Sequence, residues 1–256
     1  MNILQQGIDC VINFAAQSHV DNSFGNSIAF TRNNVLGTHN LLECCRVFGK
    51  IQKFVHVSTD EVYGEVDSSQ HENGTLNPTN PYAATKAAAE FIAKSYAISF
   101  GMPIVITRGN NVYGPYQYPE KVIPRFIWLL HQNKKVTIQG SGDNSRTFIH
   151  AFDVARAFER ILENGELFEI YNIGTRDEHS VKDIATRLLA IMKPGEALDD
   201  WIEWIPDRQF NDERYDIVTQ KLNEIGWEKE LDFDDGLKQV VEWYVNVAFK
   251  SNDPFW

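Results

Sequence analysis

Tyr82 and Lys86 stand four residues apart, a spacing that puts both on one face of a helix. A phenol with a reference pKa of about 10 is a poor base at neutral pH. An ammonium group one turn away favours the phenolate and lowers that pKa. Of nine tyrosines, this is the only one with lysine at the fourth position after it. Ser58-Thr59-Asp60-Glu61 carries a second chemistry. A hydroxyl beside two adjacent carboxylates can bind a sugar hydroxyl and supply both an acid and a base, because unequal burial pushes neighbouring carboxyl pKa values apart. A polar turn with a helix cap is the other use of the same four residues. The helix of Tyr82 starts at the same sheet edge, which favours the chemical use.

Other residues suit binding. Ala15-Ala16-Gln17-Ser18-His19-Val20-Asp21 follows an apolar run, and small side chains there let a flat cofactor approach the backbone. His19 reads as a helix-start or core-edge histidine rather than a catalytic one. Asn33 and Asn34 are helix-interior amides of low helix propensity, placed for a ligand or for a solvated face. Arg146, Arg208 and Arg214 have the fork that matches phosphate, although a single arginine more often makes a surface ion pair.

The elements that must position these groups alternate. Cys10 to Ala16 is a short apolar run of the buried-strand kind, and Phe54-Val55-His56-Val57-Ser58 and Ile104-Val105-Ile106-Thr107 are further strands. A helix is expected over 27–48. A second opens at Pro81, whose missing N–H costs nothing in a first turn, and stops at Gly101 after Phe100. This β-α-β-α-β order predicts a parallel sheet with helices on its faces. Strands end where open α/β sheets hold ligands, and Thr59 and Ala15 both lie at strand ends. Beyond Gly109 the pattern breaks into loop signals, with helices expected near 120–132, 152–162, 181–192 and 235–247 and strands at 136–138 and 170–173. The fold class is therefore α/β, a Rossmann-like doubly wound sheet, with 1–109 and 147–173 in one domain and 110–146 and 174–256 in a smaller one over the sheet's carboxyl edge.

Composition bounds the function. The 256 residues carry 24 basic and 35 acidic side chains, a net charge of −11, which argues against nucleic acid or an anionic membrane as the main partner. Hydrophobic residues at 43% and charged residues at 23% are globular values. Cys10, Cys44 and Cys45 have neither disulfide-scaffold nor metal-ligand spacing, so no metal is expected. No signal peptide or membrane-length apolar run is visible, and a cytoplasmic protein is expected.

Together the segments Phe14 to Ser23, Val57-Ser58-Thr59-Asp60-Glu61-Val62-Tyr63-Gly64, Asn80-Pro81-Tyr82-Ala83-Ala84-Thr85-Lys86, Arg108 to Pro115, Pro119 to Pro124, Tyr171-Asn172-Ile173-Gly174 and Arg208 to Tyr215 resemble the extended short-chain dehydrogenases. More narrowly they are similar to the nucleotide-sugar 4,6-dehydratases. The Thr-Asp-Glu triplet separates these from related epimerases and decarboxylases. The 208–215 segment and Trp243-Tyr244 look most like the UDP-glucose enzymes of rhamnose biosynthesis, with the dTDP-glucose enzymes second.

The resemblance implies NAD as cofactor and a nucleoside-diphosphate glucose as substrate. It implies that Tyr82 takes the proton of the sugar C4 hydroxyl while hydride passes to NAD. Thr59 would bind that hydroxyl and Lys86 the nicotinamide ribose. Glu61 would remove the C5 proton, Asp60 would protonate the departing C6 hydroxyl, and the hydride would return at C6. On the same basis Ala15, Ala16, Asn33, Tyr82, Lys86 and Val112 line the cofactor. Ser18, Thr59, Asn111, Lys121, Arg146, Arg208 and Asn211 hold the substrate, and a homodimer packs through the 27–48 and 80–100 helices. The family's opening strand, glycine-rich turn and helix, roughly 70 residues, do not precede Ile8. That departure keeps a second expectation open, a catalytically silent homologue that binds a full-length dehydratase. A sugar-nucleotide epimerase or reductase is a third, disfavoured by Asp60-Glu61.

Overall fold

The computed structural model describes residues 2–66, 68–206 and 216–251. The chain divides into two compact units, the first holding the described residues of 1–110, 157–174 and 215–228, the second those of 111–156, 175–214 and 229–256.

In the first unit the chain runs through β1 (Cys10–Asn13), α1 (Val20–Gly25), α2 (Ser27–Phe30), a π-helical segment (Thr31–Leu36), α3 (Gly37–Phe48), β2 (Lys53–Thr59), α4 (Pro81–Phe100) and β3 (Ile104–Gly109). The strand Ile170–Ile173 completes a four-stranded sheet in the order β1, β2, β3, Ile170–Ile173, and all its pairs are parallel. β2 and β3 are buried along most of their length, and Phe54, Val55 and Ile104 to Ile106 supply their apolar runs. Phe54, Ile104 and Ile106 share a core with Leu42 and Cys45 of α3 and Ala93 and Tyr96 of α4. Each fully buried Phe or Ile there contributes about 1.5–3 kcal/mol relative to exposure. Lys53 serves the fold differently: its Nζ donates to the carbonyls of Ile161, Leu162 and Gly165 at 2.9, 2.8 and 2.9 Å, capping the end of the Ala151–Asn164 helix with a cation.

α4 has the bounds expected from its punctuation. Asn80 Oδ1 accepts from the Ala83 N–H at 2.8 Å, Pro81 fills the first turn, and Gly101 leaves the helix with a φ of 63°. The expected 27–48 helix is instead interrupted by the wider π turn, in which Asn34 is buried and Asn33 exposed. α1 is an addition to the expected elements.

The second unit contains a three-stranded sheet in the order Asn111–Tyr113, Ser145–His150, Glu178–Ser180 and a parallel pair, Val136–Gln139 with Ile202–Ile205. Helices Val122–His131, Val181–Met192 and Phe233–Asn246 bury Ile127, Leu130, Ile184, Leu188, Leu237 and Val240 in its core.

Candidate active site

β2 brings Thr59 to the carboxyl edge of the sheet, where it caps a tight turn, Asp60–Tyr63, its Oγ1 accepting from the Glu61 N–H at 3.3 Å. The exit from this turn requires glycine. Gly64 has a φ of 75°, and a Cβ there would lie 2.1 Å from the Asn77 carbonyl oxygen.

Each carboxylate of the turn has its own amide anchor. Thr59 pairs with Gly109 across β2 and β3, so the next residue, Asn110, arrives beside Asp60. Its Nδ2 donates to Asp60 Oδ2 at 2.7 Å, and Thr59 Oγ1 donates to Asp60 Oδ1 at 3.3 Å. Gly174 makes the room: a Cβ on it would fall 2.0 Å from Asn110 Oδ1. Glu61 is held from the other side, by Asn80 Nδ2 at 3.1 Å from its Oε2. Both amides were absent from the residues singled out in the sequence. Only the strand register and the helix cap reveal them.

Tyr82, in the first turn of α4, is buried and hydrogen-bonded to the Thr59 side chain. Burial and the charge of Glu61 push its pKa up, the Thr59 hydrogen bond opposes them, and Asp60 adds to the rise. That direction is opposite to the one the Lys86 spacing alone predicts. Lys86 donates from Nζ to the Val57 carbonyl at 2.6 Å, and burial lowers its pKa to about 8 against the pull of Glu90. The structure thus brings Thr59, Asp60, Glu61 and Tyr82 to one place, with Lys86 one turn further along the same helix.

The segment after β1 is fixed by Asn34, not Asn33. Asn34 accepts from the Gln17 N–H at 2.8 Å and donates to the Gln17 carbonyl and to Thr85 Oγ1, each at 3.0 Å. Thr85 Oγ1 in turn donates to the Tyr82 carbonyl at 2.7 Å, so the segment is tied to the helix of Tyr82. Ala15, Ala16 and Ser18 are exposed. Two exposed methyl side chains on a pinned backbone fit the flat ring of a dinucleotide cofactor.

Four further expected residues, Asn111, Val112, Lys121 and Arg146, lie in the second unit. Asn111 and Val112 begin and continue the strand Asn111–Tyr113, Lys121 caps the helix Val122–His131, and half-buried Arg146 lies opposite His179 in the strand Ser145–His150. Arg208, Asn211 and Arg214 lie outside the described residues. Among the described residues there is no group of three or more His, Cys, Asp or Glu able to hold a metal ion, and no helix long and apolar enough to cross a membrane.

Residues 1–240 match the family model for GDP-mannose 4,6 dehydratase. A trifunctional UDP-glucose 4,6-dehydratase/UDP-4-keto-6-deoxy-D-glucose 3,5-epimerase/UDP-4-keto-L-rhamnose-reductase of Arabidopsis thaliana is 48% identical over 94% of the chain, which spans only 37% of that relative's length. A dTDP-D-glucose 4,6-dehydratase of Mus musculus is 47% identical over 93% of the chain and 68% of its own length. Among solved structures, the dTDP-glucose 4,6-dehydratase DesIV of Streptomyces venezuelae, crystallised with NAD bound, superposes with a TM-score of 0.92 at 38% identity, covering 98% of this chain and 77% of that one.

Proposed function

Because the chain belongs to the family described as GDP-mannose 4,6 dehydratase, we propose that it carries the reacting groups of a nucleoside-diphosphate-glucose 4,6-dehydratase, with UDP-glucose preferred over dTDP-glucose. The observation that carries this reading is the meeting of Tyr82, Thr59, Asp60 and Glu61 at the end of β2. A simple oxidation at C4 needs only the phenol and the ammonium. The two separately anchored carboxylates add an acid and a base, which is what eliminating water requires.

Tyr82 takes the proton of the C4 hydroxyl as the C4 hydride leaves, and Thr59 holds the same oxygen. Lys86 orients the nicotinamide ribose. NAD, held there, would supply the hydride acceptor for C4 and the hydride donor for C6. The new C4 ketone acidifies the C5–H bond, and Glu61 removes that proton. Asp60 gives its proton to the C6 hydroxyl, the C6–O bond breaks, and water leaves. Glu61 then reprotonates C5, leaving the 4-keto-6-deoxy sugar nucleotide. A protonated Asp60 also removes one of the two negative charges that oppose ionisation of Tyr82.

In this reading the first unit binds the cofactor, through Ala15, Ala16, Asn33, Tyr82 and Lys86. Of the residues expected to hold the sugar nucleotide, Asn111, Lys121 and Arg146 belong to the second unit, and Ser18 and Thr59 belong to the first. A homodimer through the 27–48 and 80–100 helices is supported by their uncovered apolar side chains, among them Ile28, Leu36, Val47, Phe91 at 60% and Ile98 at 85% exposure. The three free thiols agree with a reducing cytoplasm.

Incubation of the purified chain with NAD and either UDP-glucose or dTDP-glucose tests the reading. The expected result is a product one water lighter by mass spectrometry, and a Glu61→Gln variant that oxidises C4 yet releases no water. No product from either sugar, with no measurable NAD binding, overturns it.

A further inference from the structure

Glu90 follows Lys86 by one turn of α4 and is followed by Lys94 after another, so the three side chains share a helix face. Glu90 is 0% exposed and Lys86 4%. Across from them β3 presents Arg108, 1% exposed, whose Nη2 and Nε reach the Glu90 carboxylate at 2.7 and 3.1 Å. One buried carboxylate therefore sits among three cations. Arg108 has its remaining donors placed elsewhere: Nη1 donates to the Tyr63 hydroxyl at 2.7 Å and to the Glu72 carbonyl at 3.0 Å. Tyr63 is the last residue of the turn that carries Asp60 and Glu61. Its hydroxyl donates to Asn172 Oδ1 at 2.9 Å. One ion pair thus joins the helix of Tyr82 and Lys86 to the turn of the two carboxylates.

We propose that Glu90 is a positioning residue for this site, the counter-charge that holds Lys86 as an ammonium group and, through Arg108 and Tyr63, fixes the Asp60–Tyr63 turn against α4. The inference rests on the dehydratase reading for its purpose but not for its test.

The surroundings of Lys86 leave Glu90 as its balancing charge. β2 offers the Val57 carbonyl and, beside it, the imidazole of His56, buried, neutral and without a hydrogen-bond partner on either nitrogen. β3 offers Arg108, a like charge. α4 itself supplies Tyr82, held as the neutral phenol, and Glu90, which acts on both Lys86 and Lys94 to keep them protonated. Without Glu90, burial acts on Lys86 unopposed, toward loss of its proton.

Titration of the whole chain carrying lysine labelled with ¹³C at Cε reads this directly, the Lys86 signal being assigned by its loss in Lys86→Arg. In Glu90→Gln the Lys86 midpoint is expected to fall by about one pH unit or more, the size of a close charge effect, while Glu90→Asp restores most of it. Glu90→Gln leaves Arg108 buried and unpaired. The charge-balanced Glu90→Gln/Arg108→Met is therefore titrated too, and its Lys86 midpoint is likewise expected below wild type. An unmoved Lys86 midpoint in either folded variant overturns the proposal. Turnover is measured in parallel: a wild-type chain that makes no product removes the dehydratase reading and leaves the titration result standing. If product is made, the alkaline limb of kcat/KM should move with the midpoint, which a merely structural role for Glu90 would not produce.

Discussion

Asn80 holds Glu61 and starts the helix of Tyr82 with the two ends of one amide: its Nδ2 donates to Glu61 Oε2 at 3.1 Å while its Oδ1 accepts from the Ala83 N–H at 2.8 Å. The base and the helix of the phenol are thereby fixed to each other by one side chain.

These two duties can be separated. In Asn80→Ser the hydroxyl still caps α4, so thermal stability should stay within a few tenths of a kcal/mol, but the donor to Glu61 is gone. Asn80→Ala loses both and should cost about 0.5–2 kcal/mol of stability. Product formation is expected to drop by roughly tenfold or more in both variants, because a misplaced base forfeits part of the 10²–10⁴-fold worth of acid–base catalysis. Equal turnover in Asn80→Ser and wild type would deny Asn80 its second duty.

Gly174 shows how a residue with no functional group shapes the acid. Alanine there would put its Cβ 2.0 Å from Asn110 Oδ1, so the Asn110 amide must leave Asp60 or the strand end must shift. Gly174→Ala is expected to slow water elimination more than it weakens substrate binding, a fall in kcat with KM nearly unchanged. A variant with wild-type kcat would show that the acid does not need the amide.

Much of this arrangement was legible in the sequence, and the remainder was not for physical reasons. Pro81 and Gly101 bound α4 because their backbone restrictions act locally, and the apolar runs of β2 and β3 announce a sheet buried on both faces. The strand Ser145–His150 escaped because Arg146 and Thr147 interrupt its apolar pattern. The partners of Asn34, Asn80 and Asn110 escaped because an amide's partner is set by which element arrives beside it: Gly109 opposite Thr59 delivers Asn110, and the π turn delivers Asn34. The rise in the Tyr82 pKa was hidden for the same reason. Spacing shows Lys86 nearby, but burial and the charge of Glu61 exist only in the fold.

Lys86 should separate activity from stability along the pH axis. In the unfolded chain it keeps its proton up to its ordinary pKa of 10.5, and in the folded chain only up to about 8. Between those values the unfolded chain holds a proton that the folded chain has released, so stability rises with pH across that window. Below it the buried charge costs about 3 to 4 kcal/mol, from a difference of 10.5 − 8 pKa units at about 1.4 kcal/mol each. If the ammonium group is the working form, kcat/KM falls as pH rises through about 8 while the melting temperature does not fall with it. Paired pH profiles of turnover and thermal unfolding check this, and a joint decline of both would mean that unfolding, not Lys86, sets the alkaline limb.

His56 governs the acid side. It lies in the middle of β2, opposite Asn13 and Ile106, with both ring nitrogens buried and unpartnered. Burial first, and the neighbouring Lys86 charge second, lower its pKa from 6.5 to about 3. Below pH 6.5 the unfolded chain takes up a proton that the folded chain refuses until about pH 3, so stability is lost as the pH falls through that interval, by up to about 1.4 kcal/mol per unit. Replacing the ring by an apolar side chain forfeits no hydrogen bond, because the ring makes none. His56→Leu is therefore expected to keep near-wild-type stability at pH 7 and to flatten the pH dependence of denaturant unfolding between 6.5 and 3. Parallel urea unfolding curves at several pH values in that range measure the slope. An unchanged slope would mean that other groups, such as Asp183 beside Arg187, whose pKa is lowered, carry the acid sensitivity of the fold.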